Sequence, residues 1–204
     1  ENLEPALEQM LGSVVWTEEM DGSLPGADEG LTADWQVFED EVQGFRLRIP
    51  PSWAHKEMET DGPGVPEDWP LERGIAIFPQ AWAERFEEKD GPPDPSAPPA
   101  VPAMTVEVYG FTQCPGGAST AFRRVFPEPT REETVEVNGF TAVREVDVVG
   151  NGIELVRYVF QSPASEDVRV VLTDYYGGFP ERRQAHPEVA DLNRLVVATF
   201  SFGG

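Results

Sequence analysis

The stretch ETVEVNGFTAVREVDVV, residues 133–149, decides the fold class of this chain. Apolar and polar residues alternate on both sides of Asn138-Gly139, a dipeptide that favours the positive backbone angles of a two-residue hairpin turn. The alternating segments IELVRYVFQ (153–161) and DVRVVLTDYY (167–176) follow. We therefore expect a continuous antiparallel meander over roughly residues 132–176, with Gly150-Asn151-Gly152 at its second turn.

The charged positions of this meander predict how its two faces are used. Valines at 143, 159 and 171 share the strands with Glu145, Arg157 and Arg169. Antiparallel sheets often bury one face and leave the other in water. The pattern therefore predicts that one face of the sheet is solvated.

Shorter alternating segments predict further strands upstream. They are WQVFED (35–40), FRLRIP (45–50), GIAIF (74–78) and AMTVEVYGF (103–111). The apolar spacing after Pro187 predicts a helix over 187–197, followed by a last strand in ATFSF (198–202). Short helices are expected at 81–88 and at 120–124, the second capped by Ser119. Strands in a run with a few helices predict an α+β fold in which helices cover one side of an antiparallel sheet.

The chain divides into an N-terminal segment and one domain. Residues 1–34 combine a helical apolar stripe with an acidic, glycine-rich linker, whereas residues 35–204 form the domain, with a proline-rich insert at about 79–102. The head LEQMLGSVVW (7–16) and the tail LNRLVVATFSF (192–202) share a layout. Residues 1–16 are thus either the end of a preceding similar module or an unrelated helix.

Charge and cysteine content exclude several classes of partner and site. The net charge is −22, from 15 basic and 37 acidic residues, so nucleic acid and anionic lipid surfaces are repelled, whereas cations and basic proteins are attracted. No apolar run reaches the roughly 18 residues of a membrane span. The single cysteine, Cys114, excludes an internal disulfide framework. Because the chain opens at ENLEPALEQML without methionine, we expect a mature or trimmed product.

The stretch GFRLRIPPSW carries a family resemblance. Gly44, Phe45, Ile49, Pro50 and Trp53 match a recurrent signature of the PsbP-like family, the extrinsic photosystem II protein and its bacterial lipoprotein relatives, and HKEME continues it. The resemblance implies an antiparallel sheet between helices and a non-enzymatic, extracytoplasmic binding or assembly role, with a lipid anchor upstream left open. The insert at 91–102 and residues 1–34 depart from the family pattern.

The segment HKEMET (55–60) is the candidate site. If the chain stays extended after Trp53, His55, Glu57 and Glu59 project from one face of a strand. An imidazole and two carboxylates are a partial ligand set for Zn²⁺ or Mn²⁺, and the alternative is a solvated strand edge. Trp69 and Trp82 are expected as exposed apolar anchors.

The sequence therefore predicts a binding module that contacts a protein with a basic surface and uses no cofactor other than an optional divalent cation. Two alternatives stay open: a structural module of a longer surface protein, and a carboxylate-dependent hydrolase. The hydrolase has less support because the chain carries neither a nucleophile elbow nor a phosphate-binding loop.

Overall fold

The computed structural model describes residues 32–58, 60, 70–83, 102–112, 117–149, 153–177 and 180–203. The predicted N-terminal helix, Glu59 and Cys114 lie outside these ranges. So do residues 61–69 and 84–101. The short helix expected at 81–88 is described only at its start, where Gln80–Trp82 forms one turn of 3₁₀ helix.

The predicted meander is confirmed. Strands β6 (Arg131–Val137) and β7 (Phe140–Val149) pair antiparallel through a turn in which Asn138 and Gly139 have φ of 49° and 82°. Both central residues of this hairpin turn need positive φ, which asparagine and glycine tolerate best. Strands β8 (Ile153–Gln161) and β9 (Val168–Asp174) extend the meander.

Three upstream strands complete a seven-stranded sheet. They are β3 (Trp53–Glu57), β4 (Leu71–Pro79) and β5 (Met104–Gly110). The spatial order is β3-β4-β5-β9-β8-β7-β6, and every neighbouring pair is antiparallel. Strands β3 and β6 therefore form the two edges of the sheet.

A second, three-stranded sheet joins the two ends of the domain. Strands β1 (Gln36–Asp40), β2 (Phe45–Ile49) and β10 (Ser201–Phe202) lie in the order β1-β2-β10. Phe200 stacks on Phe45 at 5.6 Å and on Phe160 of the large sheet at 4.2 Å. These aromatic contacts hold the small sheet against the large one.

Helices cover both faces of the large sheet. Helix α3 (Pro187–Ala198) begins with proline in its first turn, as predicted, and buries Val189, Leu192 and Val196 in the main core. Helix α1 (Ala118–Val125) packs Ala121 and Phe122 on the opposite face. The predicted α+β fold with helices on an antiparallel sheet is confirmed, but the helices lie on both faces and not on one side only. Helix α2 (Pro180–Ala185), a short helix before α3, was not predicted.

A buried amide fixes helix α3 to the end of β9. Asn193 is fully buried and donates through Nδ2 to Asp174 Oδ1 at 2.6 Å and to the carbonyl of Ala103 at 2.8 Å. Asp174 also accepts the backbone N–H groups of Tyr176 and Gly177. Burial raises the pKa of Asp174, and these hydrogen bonds act in the opposite direction.

The prediction of a solvated sheet face is wrong for the part of the sheet under α1, whereas Glu132, Thr134 and Thr141 on the same face near the β6 edge are exposed. Glu145 and Arg157 lie on the face under α1 and are only 1% and 5% exposed. Arg123 of α1 donates to Glu145 Oε1 at 2.6 Å, and Arg157 donates to Glu145 and to Asp147. Paired charges satisfy one another under the helix, so alternation with charged residues did not indicate exposure here.

Two local predictions are also corrected. Helix α1 begins at Ala118 after Gly117, whose φ is 82°, and no side chain caps it, so Ser119 is an exposed first-turn residue rather than the cap. Trp82 is buried against Tyr176 with ring centroids 5.6 Å apart and is not an exposed anchor. Trp69 lies outside the described residues.

Candidate functional site

The predicted ligand residues His55 and Glu57 lie on edge strand β3, which confirms that the chain stays extended after Trp53. Both side chains are exposed. The His55 ring contacts the Phe38 ring edge-to-face at 5.3 Å, and a Glu57 oxygen lies 4.0 Å from Arg73. Glu59, the third predicted ligand, lies outside the described residues. In the described part of the chain, no three His, Cys, Asp or Glu side chains are placed to hold a metal ion.

A cavity of about 120 Å³ opens beside Glu57, between the small sheet and the β3–β4–β5 end of the large sheet. Its floor is apolar and its polar groups are mostly acidic. The apolar lining residues are Phe38, Phe45, Met58, Ile75, Val106 and Val108. The charged lining residues are Asp40, Glu57, Glu72 and Arg73. One water molecule needs roughly 10–15 Å³ of such cavity volume, so the cavity accommodates a group of several heavy atoms.

Asp40 is the fixed acidic group of this cavity. It ends β1, and its side chain is 3% exposed. Oδ1 accepts the backbone N–H groups of Val42 and Gln43 at 3.0 and 2.9 Å, which closes the turn between β1 and β2. Oδ2 pairs with Arg73 at 3.0 Å. Asp40 is therefore a positioned ion-pair partner.

Glu57 and Glu72 give the cavity its excess negative charge. The Glu57 side chain is 84% exposed, and Glu72 is exposed and accepts a hydrogen bond from Gln43 Nε2 at 3.2 Å. The Glu72 carboxyl lies across Gly110, where a Cβ atom would approach one of its oxygens to 1.8 Å. With Asp40, three carboxylates face one guanidinium, that of Arg73. The cavity therefore favours a cation.

The sequence pattern identified one wall of this cavity and gave no indication of the others. Glu57 was predicted from its alternation with His55. Asp40 and Glu72 were not, because the two sheets bring together residues that are far apart in sequence. The signal that was present is Asp40 itself, a turn-forming aspartate four residues before the signature glycine Gly44.

A second polar cluster lies on the face under α1, and no sequence signal identified it. Burial raises the pKa of Glu107 on β5 from 4.5 to about 7, although a hydrogen bond from the Tyr109 hydroxyl and the charge of Arg157 lower it. The same neighbourhood raises the pKa of Tyr109 well above its usual range, mainly through burial and secondly through the charge of Glu107.

This cluster forms part of the packing between α1 and the sheet. The Arg157 guanidinium lies over the Phe126 ring at 4.9 Å, and Phe126 contacts Tyr109 edge-to-face at 5.0 Å. Strongly shifted carboxyl groups also occur in active sites. Here the ion pairs of Arg157 with Glu145 and Asp147 connect the cluster to the α1 contacts, so its geometry supports a structural role.

The described chain is thus an antiparallel α+β protein with an acid-lined cavity between its two sheets. No protein-family model and no curated protein matches its sequence. Similar solved structures include cyanobacterial PsbP from Synechocystis sp. PCC 6803, with 11% identity, a TM-score of 0.43, and coverage of 94% of this chain and 99% of that one. A Bacteroides thetaiotaomicron VPI-5482 protein is also similar, with 15% identity and a TM-score of 0.40.

The match to the Bacteroides protein covers 83% of this chain but only 49% of that protein, so the chain spans about half its length. At these TM-scores and identities, neither likeness supports a functional assignment, and membership of the PsbP-like family stays a prediction. Within the described residues, no helix is long and apolar enough to cross a bilayer.

Proposed function

We propose that this chain is a non-enzymatic binding module that receives a basic side chain of a protein partner in the cavity between its two sheets. One observation carries the proposal: three carboxylates and a single guanidinium surround an apolar floor. A lysine or arginine side chain matches this arrangement, because its aliphatic stem covers apolar surface while its charged head meets carboxylates. The net charge of −22 would steer such a partner toward the chain.

The contacts and the exposure of the cavity carboxylates favour binding over the hydrolase alternative. Asp40 is engaged on both oxygens, by two backbone N–H groups and by Arg73. Glu57 is 84% exposed. Carboxylate hydrolysis needs one group positioned as a proton donor and another as base or nucleophile, and an oxygen already held in an ion pair is poorly suited to either role.

The location and the wider context of the module are also proposed. We infer an extracytoplasmic protein, on the basis of the acidic composition and the sequence resemblance to PsbP-like lipoproteins. The residues upstream in the gene test this inference, since a lipoprotein signal would support it and a cytoplasmic domain fused in frame would oppose it. A second GF…IP..W segment upstream would instead favour the repeat-module alternative.

The binding proposal is tested by titrating the protein with an oligolysine peptide at low ionic strength and measuring heat by calorimetry. The test variant is Glu57→Gln with Glu72→Gln, which removes two cavity charges. The matched control is Glu128→Gln with Glu136→Gln, which removes two exposed charges near the β6 edge. We expect the test variant to weaken binding about three- to tenfold, since exposed ion pairs contribute roughly 0.2–1 kcal/mol each.

The control pair separates a site from a general charge effect. If both double variants weaken binding equally, the peptide responds only to net charge and the cavity is not the binding site. If the cavity variant binds as well as the unmodified protein, the proposal is wrong.

A further inference from the structure

A second cavity, of about 150 Å³, lies on the outer face of the small sheet and differs in character from the first. Hydrogen-bond donors line it, and two of them are arginines, Arg46 and Arg48 on β2. Ser201, Thr199 and Asn138 complete its polar lining together with Thr32. In a chain with 37 acidic and 15 basic residues, a donor-lined cavity with two guanidinium groups is an exception.

In the described ranges of the chain, the two arginines have no carboxylate partner, unlike five other arginines. Ion pairs within 4.0 Å engage five other described arginines, at positions 73, 123, 131, 144 and 157. Among the described residues, no carboxylate comes within that distance of Arg46 or Arg48. Glu39 is directly opposite Arg46 in the β1–β2 register, and still does not pair with it. Within the part of the chain that the structure describes, the positive charge at this cavity is therefore not neutralised by an ion pair.

The hydrogen bonds of the lining residues hold the donors in place without using all of them. Arg46 Nε donates to Ser201 Oγ at 3.2 Å. This hydrogen bond does not use the two terminal nitrogens of the Arg46 guanidinium. One Arg48 terminal nitrogen donates to the carbonyl of Thr32 at 2.7 Å. Asn138 Nδ2 donates one N–H to the carbonyl of Phe200 at 3.3 Å and has a second N–H. Several positioned donors therefore remain available to a ligand.

The placement of these donors favours a tetrahedral oxyanion. Arg46 and Arg48 are two residues apart on one strand face, which separates them by about 7 Å. Ser201 comes from β10, and Asn138 comes from the β6–β7 turn. Donors from three elements can meet three oxygens, whereas a carboxylate presents two. Arginine also matches phosphate through its fork of N–H groups.

We propose that this cavity binds a phosphate group of a small soluble ligand, such as a phosphate monoester. A membrane phosphate is disfavoured because a bilayer sets many anionic charges against the acidic surface of a chain with net charge −22, whereas a small phosphate meets only the donors of this cavity. The site lies on the outer face of the small sheet and is separate from the acid-lined cavity, so its test is independent of the proposed partner binding.

The test uses calorimetric titration of the whole chain with inorganic phosphate and with glycerol 3-phosphate. Arg46→Gln and Arg48→Gln are each expected to weaken binding at least tenfold, because each removes a charge-assisted contact. Arg131→Gln is the control, since its side chain is 64% exposed at the start of β6. Arg46→Lys retains the charge but loses the fork, so it should bind with intermediate affinity.

Three outcomes would overturn the proposal. The first is no saturable binding of either phosphate probe to the unmodified protein. The second is equal binding by the Arg46, Arg48 and Arg131 variants. The third is binding to phosphatidylcholine vesicles that contain phosphatidate without binding of free phosphate, which would indicate a lipid surface instead. Circular dichroism spectra of each variant establish that any loss of binding does not come from unfolding.

Discussion

The substitution Glu107→Gln should change the pH dependence of stability in a defined window. Burial raises the pKa of Glu107 from 4.5 to about 7 in the folded protein. Between these two values the folded state holds a proton that the unfolded state has released, so the stability contributed by this group falls as pH rises. Above pH 7 the carboxylate is ionised in both states, and the folded state bears the full cost of its burial.

The size of this effect follows from the shift. Each pKa unit corresponds to roughly 1.4 kcal/mol, so ionised Glu107 costs the folded state on the order of 3 kcal/mol. Glutamine has nearly the same shape and carries no charge. We therefore expect Glu107→Gln to gain stability relative to the unmodified protein as pH rises through the window, by a total of about 3 kcal/mol.

The assay is urea-induced unfolding of both proteins at several pH values between 4 and 8.5, with free energies extrapolated to water. The difference between the two proteins isolates Glu107 from other titrating groups, including Asp174, whose pKa burial also raises. A constant difference across the whole pH range would contradict this prediction, because it would mean that Glu107 has the same pKa in both states.

Three further substitutions test contacts or roles of Tyr109, Glu145 and His55. Tyr109→Phe removes a hydrogen bond that favours ionised Glu107, so the pKa of Glu107 should rise. In the Tyr109→Phe background, the stability gained by Glu107→Gln should therefore appear at higher pH than in the unmodified protein. An unchanged midpoint would contradict this. Glu145→Ala should destabilise the protein by about 3 kcal/mol in urea unfolding, the lower end for a broken buried pair, because Arg157 keeps Asp147; a loss below about 1 kcal/mol would mean that the pair is already solvated. If His55 is a metal ligand, Zn²⁺ or Mn²⁺ should bind saturably and His55→Ala should abolish that binding, whereas unchanged binding would remove His55 from the site.

Local sequence patterns predicted the parts of the fold that local physics determines. The Asn138-Gly139 turn has few conformations open to it, and the residues on either side alternate over a whole strand, so the β6–β7 hairpin could be identified without any distant contact. Helix α3 was predicted for a similar reason, since Pro187 and an apolar stripe determine its start and its buried face.

Features that depend on distant contacts could not be predicted in this way. The exposure of Glu145 and Arg157 was predicted wrongly because α1 covers them, and Arg123 on that helix pairs with Glu145 from 22 positions away. The acid-lined cavity combines Asp40, Glu57 and Glu72 from three strands. Each of these residues is recognisable as acidic in the sequence. The sequence pattern does not show which of the 37 acidic residues lie close together in the fold.

The most direct test of the binding proposal is a titration of ¹⁵N-labelled protein with oligolysine, followed by NMR. The amides of Val42 and Gln43 donate to Asp40, so their resonances should respond when a cation approaches that carboxylate. We expect these two resonances and that of Gly74, in the cavity wall, to shift with one common saturation curve, while that of Gly139 does not shift. Shifts spread evenly over the acidic surface, or absent at Val42 and Gln43, would contradict it.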